Sequence, residues 1–130
     1  GRVILDSSAI VAVVLREPGF EDLVRKAARA EALGVGAPTL VEAGLVLTSR
    51  LGRDARGLLR GLLHEWGAVT ITFGEDHWQA AVAAYARYGR GRHEARLNFG
   101  DCMAYAVAQL AQEPLLCTGG DFPRTDIALA

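Results

Sequence analysis

The chain predicts an α/β domain with a short central parallel sheet covered by helices on both faces. Short apolar runs near residues 2–5, 69–73 and 114–118 alternate with longer segments whose apolar residues recur at helical spacing. The 130 residues, 51% of them hydrophobic, suit one core of ordinary size, so a single domain over 1–130 is expected. The opening stretch RVILDSSAIVAVVL passes directly from strand to helix at Asp6. Crossovers between parallel strands should be right-handed.

Arg2 to Leu5 reads as a buried strand, and Ser7 and Ser8 as N-cap residues for the apolar run that reaches Leu15. Asp6 then sits at a strand's carboxyl end, the edge at which open α/β sheets bind ligands. An acid there is either a metal ligand or the acidic member of an ordinary turn or cap. After the break Arg16-Glu17-Pro18-Gly19, the run Phe20 to Leu33 has Phe20, Leu23, Val24, Ala27, Ala28 and Ala30 on one helical face. Arg25, Lys26 and Arg29 fall on its polar face, which reads as solvated surface in preference to an RNA contact. Gly34 to Ala37 forms a brief strand or turn, and Pro38-Thr39 opens a helix running toward Leu51 and Gly52. Thr39-Leu40-Val41-Glu42 fits a capping box, which would account for Glu42 without any chemistry.

Asp54 starts the next helix, with Leu58, Leu59, Leu62 and Leu63 inward, and Val69 to Phe73 alternates as a strand. Gly74-Glu75-Asp76 caps a helix from about His77 to Tyr88. Tyr88 to Leu97 is a glycine- and charge-rich loop whose Arg90, Arg92 and Arg96 suit either phosphate contact or a solvated connector. Asn98-Phe99-Gly100-Asp101 opens a helix to about Gln112; with Asn98 as the cap, Asp101 is the third helical residue and again has a capping role open to it. Pro114 to Cys117 is a short strand, and Thr118-Gly119-Gly120-Asp121-Phe122 a loosened turn that presents another carboxylate. Thr125 to Ala130 closes the chain as a short strand or turn.

A formal charge of −1 removes the simplest nucleic-acid argument, that of a basic protein held by its net field. Cys102 and Cys117 are too far apart for a C-x-x-C motif and read as core thiols of a reducing compartment, while His64, His77 and His93 share no metal-ligand spacing. A nucleophile elbow, a recognisable Cys–His pair and a phosphate-cradling glycine loop are all absent. No apolar run approaches the roughly eighteen residues of a membrane span, so a soluble, cytoplasmic protein is expected.

Each acid alone has a local structural excuse. Together, Asp6 and Asp121 at strand ends, with Glu42 and Asp101 in the first turns of helices, can converge on one sheet edge. Converging carboxylates repel unless a cation neutralises them, and a hard cation with oxygen ligands, Mg²⁺ or Mn²⁺, is the economical choice. Ser7, Ser8, Asn98 and Thr118 are placed to orient the carboxylates.

Four blocks carry a family resemblance: ILDSSAIVAVVLREPG, PTLVEAGLVL, RLNFGDCMAYAVAQ and LLCTGGDFPRTDI. In this order the chain resembles the PIN-domain ribonucleases of the VapC type, the toxins of toxin–antitoxin pairs. The resemblance covers nearly the whole chain and implies a PIN-like fold, with Asp6, Glu42, Asp101 and a fourth acid near Asp121 as the metal site. It further implies an RNA substrate cut to a 5′-phosphate and a 3′-hydroxyl, a cognate VapB-type antitoxin and a homodimer. The chain departs from the pattern where many relatives have an acid or asparagine and it has Gly120; Asp121 then serves directly, serves through water, or leaves three acids, and Asp126 is a lesser substitute. The alternative is a non-catalytic PIN-like module that binds RNA or protein.

Overall fold

A computed structural model describes residues 1–130. Its elements are β1 (Arg2–Leu5), α1 (Ser7–Val14), α2 (Phe20–Arg29), β2 (Ala32–Gly36), α3 (Ala37–Leu51), α4 (Arg56–Trp66), β3 (Val69–Ile71), α5 (Glu75–Tyr88), α6 (Phe99–Ala111) and β4 (Leu115–Leu116), followed by a 3₁₀ turn at Phe122–Arg124. The four strands form one sheet in the order β3-β2-β1-β4, with every pair parallel. The expected α/β architecture is therefore present, with β1 in the interior of the sheet.

Side chains of alternate strand residues leave a sheet on opposite faces, and two cores result. Val3, Leu5, Leu33, Val35 and Leu116 join α1, α2, α3 and α4 on one face. Ile4 and Leu115 join α5 and α6 on the other. In β2 the positions facing α6 and Ile71 are glycines: a Cβ at Gly34 would lie 2.8 Å from Ile71 Cδ1, and one at Gly36 would lie 2.7 Å from Val107 Cγ2. The bare Gly36 lets α6 close directly over the sheet, and the bare Gly34 leaves room for Ile71 and Ile4. Leu97, Ala104 and Ala108 are completely buried in the layer that forms.

Several boundaries differ from expectation, two because the sheet overrides a local signal and two because an aspartate accepts from a backbone N–H two residues on. The second helix stops at Arg29, not Leu33, because Leu33 pairs with Val3 in the ladder. β3 ends at Ile71 because its partner strand ends at Gly36. Asp6 itself, rather than Ser7 or Ser8, is the N-cap of α1, accepting from Ser8 N at 3.1 Å. Asp54 precedes α4 as a turn residue that accepts from Arg56 N at 3.0 Å, leaving Ala55 at the cap.

The expected capping box at Thr39 is not formed. Helix α3 starts two residues before Thr39, directly after Gly36 leaves the sheet, so Thr39 lies inside the helix, buried and with its Oγ1 unpartnered. Glu42 is thereby released from the local role that the sequence assigned to it. The cap at Asn98 holds as expected: its Oδ1 accepts from Asp101 N at 2.9 Å, and Asn98 N donates to Asp101 Oδ2 at 3.1 Å. The tail runs beside β4, with Leu115 N donating to Ala128 O and Ala130 N to Leu115 O.

Candidate active site

Parallel strands put their carboxyl ends on one edge, and the site is assembled there. Asp6 leaves β1 almost fully buried, 3% exposed. Its Oδ2 accepts from Ser8 N and from Ser8 Oγ at 2.5 Å, while its Oδ1 is buried with no hydrogen-bond partner. Ser8 Oγ also accepts from the backbone N of Thr118, at 3.0 Å, which ties the end of β4 to the start of α1. Thr118 thus contributes its main chain. Ser7 Oγ donates to Glu42 Oε1 at 2.7 Å, joining α1 to α3 across 35 residues of sequence.

The carboxylate of Glu42 lies against the first turn of α6. A Cβ placed on Gly100 would fall 2.0 Å from Glu42 Oε2 and 2.6 Å from Oε1. Asp101, the next residue, is half-buried and its pKa is raised from 3.8 to about 6. Burial is the main cause, opposed by the Asn98 N–H, and the charges of Asp6, Asp121 and Glu42 push further in the same direction. Asp6 is likewise raised, first by burial and then by the neighbouring Glu42, against the donors of Ser8 and Ser7.

Asp101 therefore senses the charges of three carboxylates from three other segments, and none of the four is ion-paired to a lysine or arginine. As the side chains stand, no three acids close into a ready cage around one point. The set still fits a hard divalent ion: every donor is oxygen, one Asp6 oxygen is buried without a partner, and the excess negative charge has no counterion in the protein. Such ions keep several waters, so an open arrangement of carboxylates suits them better than a closed one.

Asp121 is exposed, at the start of the 3₁₀ turn, and Gly120 beside it is also exposed. Asp126 is committed elsewhere: it accepts from the Tyr105 hydroxyl and pairs with Arg87 at 3.4 Å. Arg90, Arg92 and Arg96 are exposed and make no hydrogen bond or ion pair to the four acids; Arg92 lies over the Tyr85 ring, 5.6 Å from its centre. Neither cysteine is poised as a nucleophile, because burial pushes both thiols up to about 11. Sequence reasoning passed over Gly100. Its signal was a glycine in the first turn of a helix, a place where alanine is the better helix former.

A parallel sheet with unpaired acids at its carboxyl edge defines a class of α/β protein built to act on a ligand there. The PIN domain family model matches residues 3–128. Ribonuclease VapC36 of Mycobacterium tuberculosis is 47% identical over 126 residues, covering 96% of this chain and 91% of that protein. Ribonuclease VapC of Mycolicibacterium smegmatis is 36% identical, covering 97% and 98%. The chain belongs to the PIN-domain family, among the VapC ribonucleases. Solved structures share the fold: the sarcin-ricin loop cleaving toxin VapC20 of Mycobacterium tuberculosis superposes with a TM-score of 0.79 at 17% identity, covering 98% of both chains. VapBC2 from Rickettsia felis, solved with a fragment of its promoter DNA, gives 0.77 at 10% identity, covering 100% of this chain and 98% of that one.

Proposed function

We propose that the chain is an endoribonuclease that cuts RNA phosphodiester bonds with a divalent cation, as the toxin of a toxin–antitoxin pair. The observation that carries this reading is the buried, unpartnered Oδ1 of Asp6 at the carboxyl edge of the sheet, where the charges of Asp6, Glu42 and Asp121 bear on Asp101 and no lysine or arginine is paired with any of them. Asp6, Glu42 and Asp101 would hold the ion, and Asp121 would join directly or through water. Mg²⁺ is the first choice and Mn²⁺ the second, since both take oxygen ligands in octahedral geometry. When bound, such an ion supplies Lewis acidity and positive charge against the scissile phosphate.

The remaining work belongs to the chain's own groups. Ser8 fixes the Asp6 carboxylate and anchors it to the Thr118 main chain, Ser7 fixes Glu42, and the reciprocal Asn98–Asp101 bonds hold Asp101 at the start of α6. The exposed Arg90, Arg92 and Arg96 provide phosphate contacts outside the acidic edge. A single PIN domain over 1–130 is supported by the extent of the family match. Likeness to the VapC ribonucleases, and in fold to VapBC2 of Rickettsia felis, supports a VapB-type antitoxin as partner. A homodimer is supported by an apolar face spread over three helices, where Leu45, Val82 and Phe99 are 66%, 61% and 80% exposed. No helix is long and apolar enough to cross a membrane, in keeping with a cytoplasmic enzyme.

The test is cleavage of a total-RNA pool by the purified protein with Mg²⁺, Mn²⁺ or EDTA, beside Asp6→Ala. Metal-dependent cutting that is lost in the variant is expected. Equal behaviour of the two proteins, with no cutting under any metal, would overturn the reading in favour of a non-catalytic binding module.

A further inference from the structure

We infer that Gly100 is a positioning residue: its missing side chain is the seat that holds the Glu42 carboxylate beside Asp101. The inference rests on the acidic edge being the metal site, as proposed above. Helix α3 brings Glu42 toward α6 with its local capping role removed, and one contact from each side then fixes its carboxylate. From α1, Ser7 Oγ donates to Oε1 at 2.7 Å. From α6, the bare Cα of Gly100 leaves the volume that both carboxylate oxygens and the carboxyl carbon occupy, 2.0, 2.6 and 2.5 Å from where a Cβ would stand. A methyl group cannot share that volume with them. The backbone of α6 is held by the Asn98 cap and by the buried Cys102 just after it, so the carboxylate has to yield. Moving it shifts the oxygen that Ser7 holds and displaces one of the acids from its place beside Asp101.

A second glycine supplies the control. Gly57 occupies the same position in α4 that Gly100 occupies in α6, second in the helix, yet nothing lies within 4 Å of its would-be Cβ. Gly57→Ala therefore reports only the general gain of replacing a helical glycine. Gly100→Ala carries the same gain together with the displacement of Glu42.

The experiment measures Mn²⁺ affinity by calorimetry and RNA cleavage for the wild type, Gly57→Ala, Gly100→Ala, Glu42→Asp and the double variant Gly100→Ala with Glu42→Asp, with thermal melts in EDTA to confirm folding. Gly100→Ala is expected to stay folded and lose Mn²⁺ affinity by about tenfold to a hundredfold, the range found when groups that orient metal ligands are removed. Gly57→Ala is expected to match the wild type in both readouts. In the Glu42→Asp background the shorter side chain withdraws from the Cβ, so adding Gly100→Ala should cost much less than it does alone. A general structural defect would not shrink in that way. Equal Mn²⁺ affinity for Gly100→Ala and Gly57→Ala, or an undiminished loss in the Glu42→Asp background, would overturn the inference. A wild type that neither binds Mn²⁺ nor cuts RNA would instead overturn the metal-site reading on which it rests.

Discussion

Asp101→Asn should stabilise the metal-free protein above neutral pH, even though it removes a residue of the proposed metal site. The folded state raises the Asp101 pKa from 3.8 to about 6, through burial first and then through the charges of Asp6, Asp121 and Glu42. Well below pH 3.8 the carboxyl is protonated in both folded and unfolded states and costs nothing. As pH rises from 3.8 to about 6 the unfolded chain releases this proton while the folded chain keeps it, so stability falls across that window and levels off once the folded carboxyl also ionises. The shift corresponds to about 3 kcal/mol at full effect. Screening by water at a half-buried group brings it down to about 1 to 1.5 kcal/mol. Asparagine keeps an oxygen to accept from Asn98 N, so the cap survives the substitution. Urea melts in EDTA from pH 4 to 8 should show wild type losing stability relative to Asp101→Asn as pH rises, with the gap flat above pH 7. Excess Mn²⁺ should reverse the order, because a ligand that binds the folded state stabilises it. A variant no more stable than wild type at pH 7.5 in EDTA would refute the view of Asp101 as a crowded, desolvated carboxylate.

Ser8→Ala strips Asp6 of its 2.5 Å donor and cuts the tie to Thr118 N, and a cost of about 1 to 3 kcal/mol in urea melts is expected, with weaker Mn²⁺ binding. Tyr105→Phe removes the hydroxyl that donates to Asp126 and should cost about 1 kcal/mol while leaving RNA cleavage intact, since that contact anchors the C-terminal tail and not the acidic edge. Cys102 and Cys117, pushed up to about 11 by burial, should react with a disulfide reagent at pH 8 far more slowly in the native protein than in denaturant. Rapid native labelling would show that the thiols are not held as described.

Strands at the start of the chain, near 69 and near 115, the helices between them and the Asn98 cap were all legible from periodicity and local chemistry. Each depends on residues at most a few positions apart, as in the Asn98–Asp101 box, so the code for it is local. Errors clustered where a ladder partner set the boundary: α2 yields Leu33 to the sheet, and β3 ends where β2 has no residue left to offer.

The candidate site divides along the same line. The four acids, their order along the chain and their likeness to the PIN-domain pattern could be read directly, because strand-to-helix junctions announce themselves in residue type. What each acid does with its oxygens could not. Thr39 and Glu42 have the spacing of a capping box, yet α3 begins two residues earlier, and the glutamate finds its partner in Ser7, 35 residues away. Ser8 meets the backbone of Thr118 across 110 residues, and Gly100 makes room for a carboxylate from another helix. By itself the sequence determined the elements and the positions of its carboxylates along them, since short-range hydrogen bonding and hydrophobic periodicity are properties of neighbours. Only the parallel crossovers of the tertiary fold decided which carboxylates share an edge and what holds them there, because those contacts join segments that have no influence on one another until the sheet has formed.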